Sequence, residues 1–211
     1  MPCPFEKYSK RYDDWFENNH YAYESEIMAV GRLLPEGGNG IEIGVGSGRF
    51  AARFGIRHGL EPSGKMGKLA TSRGIDVTVG VAEKTPFPDN SFDFALLVTT
   101  ICFLDDTKKA FGEVHRILKD SGSVIVGFVD KDSPLGRQYL KNKNKSDFYR
   151  EATFFSYEEV VQALVKAGFR DFECVQTIFR PLTEIRTIEP VKDGHGEGSF
   201  LVVRGTKRGG L

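Results

Sequence analysis

The stretch with the most chemical content is Glu42-Ile43-Gly44-Val45-Gly46-Ser47-Gly48-Arg49. Glycines there let the backbone turn tightly and let a ligand approach the N-terminus of the next helix, whose free N–H groups favour an anionic or electron-rich group. Two phosphate readings fail on residue type. A dinucleotide fingerprint needs a small residue at position 49, where Arg49 stands, and a phosphate loop needs a Gly-Lys-Ser/Thr ending that is missing. A glycine turn also occurs for packing alone, so the neighbouring segments have to carry the argument. Leu60-Glu61-Pro62-Ser63 places a carboxylate 17 residues after Gly44, where it can accept hydrogen bonds from both ribose hydroxyls of a nucleoside. The third segment runs from Gly80 through Ala82, Glu83 and Pro86-Phe87-Pro88-Asp89-Asn90-Ser91-Phe92-Asp93. In an open parallel sheet these three segments converge outside the carboxyl ends of the strands.

The elements that would position them follow from periodicity. Short β-type runs, GIEIGVG, RHGLE, DVTVGV, FDFALLVTT, SVIVGFV, FECVQTIF and SFLVVRG, make seven candidate strands. Helices are expected at 48–55, 63–73, 106–119 and 156–167, the last opened by a Ser156/Glu159 capping box and closed by Gly168. Helical spacing from Phe5 to Leu34 gives a helical N-terminal segment stopped at Pro35. The alternation implies an α/β, Rossmann-like, seven-stranded and mostly parallel sheet, with helices on both faces and an antiparallel last strand. Residues 130–150 and 181–198 read as irregular. The expected organisation is one domain over 1–211: a helical cap segment (1–38), a cofactor-binding core (39–180), and a loop with the last strand (181–211).

Composition narrows the function class. Lys+Arg and Asp+Glu both number 29, so no global field draws the chain to nucleic acid or an anionic membrane. The N-terminus lacks the apolar core of a signal peptide and no apolar run is long enough to span a bilayer, so a cytoplasmic location is expected. Cys3, Cys102 and Cys174 are odd in number and far apart, which suits neither a disulfide framework nor a zinc site.

With these motifs in register, the sequence resembles the class I S-adenosylmethionine-dependent methyltransferases, in particular the small-molecule, ubiquinone-biosynthesis-like branch, from about Tyr8 to Phe179. The resemblance rests on Glu42 to Phe50, on Glu61-Pro62-Ser63 with Met66 downstream, on Ala82-Glu83 with Pro86 to Asp93, and on Glu113-Val114-His115-Arg116-Ile117-Leu118-Lys119-Asp120-Ser121-Gly122. It implies S-adenosyl-L-methionine as cofactor. Gly44, Gly46 and Gly48 would border its methionine part, Glu61 would hold the ribose, Met66 would pack on the adenine and the Ala82 backbone would face the adenine edge. Thr99 and Thr100 would lie beside the sulfonium, with Glu42, Pro62, Ser63 and Glu83 as further cofactor-site residues. Tyr12 and Phe16 would either cover the site or dock the N-terminal helix. Val81 stands where the family often has an acid, so adenine recognition must lean on backbone groups or Glu83. The short span from Gly48 to Glu61 leaves room for a first helix of only about two turns.

A sulfonium methyl is electrophilic without help, so the protein must mainly align the reactants and exclude water. No catalytic residue is assigned. His20 is the one histidine of four placed to act as a base, and Cys102 reads as a buried strand cysteine, not a nucleophile. The expected partner is a small-molecule methyl acceptor. Nucleic acid is disfavoured, the run Lys141 to Lys145 being read as a solvated face. Two alternatives stay open: a nicotinamide-dependent oxidoreductase, disfavoured by Arg49, and a domain that binds the cofactor without turnover.

Overall fold

The computed structural model describes residues 4–208, so Cys3 lies outside the described residues. The N-terminal segment forms three helices where the spacing suggested one run: α1 (Pro4–Lys7), α2 (Ser9–Asn18) and α3 (His20–Leu33). The second break is at Asn19, which leaves helical geometry and returns its side-chain amide to the Trp15 carbonyl at 3.0 Å. Leu34, preceding a proline, is extended and ends α3.

The core then alternates: β1 (Gly40–Ile43), α4 (Arg49–Phe54), β2 (His58–Glu61), α5 (Gly64–Ser72), β3 (Asp76–Val79), β4 (Phe92–Val98), α6 (Thr107–Ile117), β5 (Leu118–Val129), α7 (Pro134–Asn142), α8 (Tyr157–Lys166), β6 (Phe169–Thr177), β7 (Lys192–Asp193) and β8 (Phe200–Lys207). The sheet order is β3-β2-β1-β4-β5-β8-β6-β7. The first five strands pair in parallel, and β8 runs antiparallel between β5 and β6. The chain moves outward from β1 to β3 and then crosses back to β4, so the strand order reverses between β1 and β4. This is the switch point at which α/β sheets open a ligand crevice.

Among the described residues eight strands replace the expected seven, the extra one being the two-residue β7 within the stretch read as irregular, where it pairs with Val175 and Gln176. The other irregular stretch contains α7, whose signal was the adjacent Ser133 and Pro134: the serine hydroxyl caps the Gly136 N–H at 3.0 Å and proline fills the first turn. Strand β5 begins at Leu118, inside the span expected for the preceding helix, and its register against β4 shifts between Phe92 and Phe94.

Alternation along β4 feeds two cores. Phe94, Leu96 and Val98 face the layer built with α3 and α4, while Ala95 and Leu97 face the layer of α6 and α8.

Charge pins the N-terminal helices to the glycine turn. Asp13 of α2 receives Arg49 Nε and Nη2, each at 2.9 Å, and Arg73 Nη2 at 2.7 Å. Burial acts to raise the pKa of Asp13, but the hydrogen bonds from Arg49 and Arg73 prevail and hold its carboxyl well below the usual carboxylate range. Arg49 also reaches Glu17 at 2.6 Å, and the Tyr23 hydroxyl donates to the Arg49 carbonyl at 2.9 Å. Asp13→Asn is expected to destabilise the fold by about 1.5–3 kcal/mol, the worth of charge-assisted hydrogen bonds, and to speed hydrogen exchange across 9–18 before it does so in β4 or β5. Because the native pKa is depressed, this contribution is complete above the unfolded carboxylate pKa and is lost as pH falls through the native one. Equal exchange rates in variant and parent would refute the clasp.

Candidate active site

Glu61, the last residue of β2, organises the site. One carboxylate oxygen accepts the Gly46 N–H at 2.9 Å and the other accepts the Ser63 N–H at 2.9 Å, tying the glycine turn to the β2–α5 connection. Burial raises the Glu61 pKa, and the two N–H bonds oppose that rise. A carboxylate offers about four acceptor positions, so two remain for a ligand.

The turn itself differs from the open N–H nest expected from sequence. Gly44 and Val45 both donate to the Leu60 carbonyl, at 2.8 and 3.0 Å, and Gly48 donates to Val45 at 2.8 Å. Glu42, 2% exposed, accepts the Ala51 N–H at 2.8 Å and so occupies the N-terminal turn of α4. Burial, and secondarily the Glu61 charge, push the Glu42 pKa well up. The N–H groups of Gly44, Val45, Gly46 and Gly48 are therefore already in use, with the buried acids Glu42 and Glu61 behind them.

A pocket of about 240 Å³ opens along the strand ends beside Glu61. Of the sequence candidates, Gly44, Gly46, Glu61, Pro62, Met66, Ala82, Glu83 and Thr99 line it, as do Thr100 and Val81. Three do not: Glu42 lies behind the turn, Gly48 packs on Ala70, and Ser63 caps α5 and donates to Glu6 of α1 at 2.6 Å. Gly44 and Gly46 both have positive φ. A Cβ at Gly44 would collide with Thr100 at 2.5 Å, so that turn can pass the end of β4 only as glycine.

At the end of β4, Thr99 holds φ at 52°, an uncommon conformation for a β-branched residue, and its N–H is anchored to the Gly127 carbonyl at 2.7 Å. Strain of this kind concentrates at functional sites. The Thr100 hydroxyl lies 3.2 Å from the Ile43 carbonyl, locking β4 to the turn. At the other end, Glu83 accepts the Asp105 N–H at 2.9 Å. The loop carrying Ala82 and Glu83 is held by Glu113, which receives the Thr85 N–H at 2.8 Å and Arg116 Nε at 2.8 Å, while Arg116 also reaches Asp89 at 2.7 Å. Arg116 is the main reason that the Glu113 pKa falls to about 2. The Glu113 to Arg116 motif thus acts as a clamp on the pocket's far wall.

Sequence reading missed Phe5, Phe103, Leu104 and Asp105 in the lining. Phe5 comes from α1, which Glu6 fastens over the site through Ser63 and the Lys65 N–H at 3.1 Å. Tyr12 lines the pocket, whereas Phe16 is buried in the core beneath α2, so one covers the site and the other docks the helix. His20 is exposed beside Tyr21 and is absent from the pocket wall. Cys102 is buried, its thiol pushed up to about 12 by burial, which disables it as a nucleophile. The Lys141 to Lys145 run closes α7, with Lys141 and Lys145 exposed.

A family model described as a methyltransferase domain matches residues 41–126. A crystal structure from Thermotoga maritima, described as an S-adenosylmethionine-dependent methyltransferase and possible histamine N-methyltransferase, is 54% identical, covers 97% of this chain and 99% of its own, and superposes with a TM-score of 0.95. An uncharacterized protein of Methanocaldococcus jannaschii is 43% identical over 96% of this chain and 98% of its own length. A ubiquinone/menaquinone biosynthesis C-methyltransferase of Rickettsia bellii is 34% identical over 86 residues, 41% of this chain and 30% of its own. The switch-point pocket, the glycine turn and these likenesses converge on one assignment: the chain belongs to the S-adenosylmethionine-dependent class I methyltransferases.

Proposed function

We propose that the pocket holds S-adenosylmethionine with Glu61 on the ribose hydroxyls, the Gly44–Gly46 turn against the methionine part, and Met66, Leu60, Ala82 and Leu104 around the adenine. The methyl group then passes in line to a small molecule entering beside Thr99 and Tyr12. The observation that carries the reading is the Glu61 carboxylate in the pocket wall, which holds the Gly46 and Ser63 N–H groups and keeps acceptor positions for a ligand. A carboxylate there repels a pyrophosphate and suits ribose hydroxyls beside a cationic sulfonium. When bound, the cofactor supplies an activated methyl, and the chain's residues supply alignment and dryness. Thr99 and Tyr12 border the reacting end, and α1 and α2 close over it. The small-molecule acceptor is favoured by the neutral net charge, by the exposed setting of Lys141 and Lys145, and by a reacting end roofed with aromatic rings. The description of the Thermotoga relative makes amines the first acceptors to try. Two free cysteines and no helix long and apolar enough to cross a membrane, among the described residues, agree with action in the cytoplasm.

Calorimetry and thermal melts distinguish this from nicotinamide chemistry. S-adenosylhomocysteine should raise the melting temperature and NAD should not; the reverse pattern would refute the proposal. Glu61→Ala should weaken S-adenosylhomocysteine binding by about ten- to a hundredfold, since hydrogen bonds to a charged group are worth about 1.5–3 kcal/mol each. Glu61→Gln should not rescue it, because a glutamine would aim its NH₂ at the Gly46 or the Ser63 donor. Binding by Glu61→Ala within about twofold of the parent, a change below ~0.5 kcal/mol, would place the ribose elsewhere.

A further inference from the structure

A second cavity, with room for about 20 Å³, lies on the far side of Thr99, which lines it and the cofactor pocket alike. Its wall includes Ile101 and Cys102 after β4, Val129 at the end of β5, Tyr139 of α7, and Tyr149 and Phe154 from the segment before α8. Aromatic rings join the two spaces. Phe103, in the wall of the cofactor pocket, stacks on Tyr149 with centroids 6.0 Å apart, Tyr149 stacks on Tyr139 at 5.1 Å, and Phe154 lies 5.7 Å from Tyr149. On the cofactor side Phe5 meets Phe103 at 4.8 Å and Tyr12 at 5.2 Å, both edge to face. A molecule that comes up to Thr99 from the second cavity therefore travels between ring faces.

The chemistry of that wall restricts the attacking atom. Among the described residues, no Asp, Glu, His, Lys or Arg lines the second cavity, and the acids of the cofactor pocket are occupied: Glu61 holds the Gly46 and Ser63 N–H groups and Glu83 the Asp105 N–H. The protic groups in the two walls cannot stand in for a base. Burial pushes the Tyr12, Tyr139 and Tyr149 hydroxyls up and the Cys102 thiol up to about 12, so each keeps its own proton, and the Cys102 thiol donates to the Thr99 carbonyl at 3.2 Å.

A base is needed wherever the nucleophile must lose a proton. Alcohols, phenols and thiols lose theirs as they take the methyl, and an alkylammonium must lose one before its lone pair is free. Here neither proton has a group to receive it. An anionic acceptor is disfavoured too, since a charge brought into a space of this kind without a partner is penalised by the same burial. What suits the cavity is an uncharged atom with a lone pair that needs no deprotonation and that becomes cationic on methylation, because ring faces attract a cation. A thioether sulfur meets both conditions, and sulfur makes favourable contacts with aromatic rings. The volume agrees with a slim acceptor, since a space of about 20 Å³ holds only one or two water-sized groups.

We infer that this chain methylates a thioether, whose sulfur sits beside Thr99 with one small arm in the second cavity and the other along the Tyr12 and Phe103 rings. The inference rests on the methyltransferase reading and names the acceptor class of the same site. A lone pair on the thioether sulfur forms the new S–C bond to the methyl. The C–S bond of the donor breaks with its electron pair staying on the donor sulfur, and no proton moves. S-adenosylhomocysteine and a trialkylsulfonium ion are the products, so the positive charge passes from one sulfur to the other within reach of the rings.

The test uses the full chain and four acceptors of the same heavy-atom count, ethyl methyl sulfide, propane-1-thiol, propylamine and propan-1-ol, with pyridine as a neutral aromatic nitrogen. In calorimetric titration of the chain saturated with S-adenosylhomocysteine, the sulfide should bind and propylamine and propan-1-ol should not. With S-adenosylmethionine, mass spectrometry should find ethyldimethylsulfonium formed with kcat/KM about tenfold or more above that for any other member of the panel. Tyr149→Leu removes a ring face and should lower sulfide turnover by about tenfold or more, whereas Tyr149→Phe keeps the face and should lose less. Both variants should bind S-adenosylhomocysteine within about twofold of the parent, which also shows that they fold, since Tyr149 does not line the cofactor pocket. A thiol, amine, alcohol or pyridine methylated as fast as the sulfide, a sulfide that binds no better than propan-1-ol or does not react, or parental sulfide turnover in Tyr149→Leu would overturn the inference while leaving the methyltransferase reading intact. A parent that fails to bind S-adenosylhomocysteine would overturn that reading and this one with it.

Discussion

The two oxygens of Glu61 set the geometry of everything around them. By accepting the Gly46 and Ser63 N–H groups, one carboxylate fixes the relation between the turn after β1 and the start of α5, beside the bonds of Gly44 and Val45 to Leu60 and the packing of Gly48 on Ala70. Gly44 and Val45 donate to the Leu60 carbonyl, Gly48 donates to Val45, and Glu42 closes the first turn of α4 from beneath. With the Gly44, Val45, Gly46 and Gly48 donors engaged internally, the turn presents glycine backbone beside the Glu61 carboxylate. Burying two carboxylates this close costs stability, offset by three N–H bonds and by the two-sided core of the parallel sheet.

Around that fixed centre the walls are held by independent charge clusters. Glu113 and Arg116 set the loop that carries Ala82 and Glu83, Asp13 with Arg49 and Arg73 sets α2, and Glu6 sets α1. Each cluster joins residues far apart in sequence, so the N-terminal helices become part of the pocket wall although they precede the sheet. Arg49 takes on a definite task here. The residue that disqualifies the dinucleotide fingerprint is the one that anchors the covering helix, so the same substitution that removes one function supports another.

Local signals made most of the frame readable. Seven strands, four of the core helices and the antiparallel last strand followed from period and capping, Gly44, Gly46 and Glu61 stood out by type and spacing, and Met66 and Ala82 came from the family resemblance. What escaped depends on tertiary register. The use of the turn N–H groups is decided by the Leu60 carbonyl across β2, and Glu42 sits where a site residue was expected yet points behind the turn because strand alternation turns it from the crevice. Phe5 and Asp105 reach the pocket from segments with no motif of their own. Helix α7 had a signal in Ser133-Pro134 that the polar, lysine-rich stretch after it obscured.

Glu61 holds the glycine turn, and the proposed function asks it to hold the ribose as well. A crystal structure of the protein with S-adenosylhomocysteine measures this directly. The account predicts both ribose hydroxyls within hydrogen-bonding distance of the Glu61 carboxylate while the Gly46 and Ser63 N–H bonds persist. A ribose held by another side chain, or a Glu61 that releases the turn to reach its ligand, would contradict it.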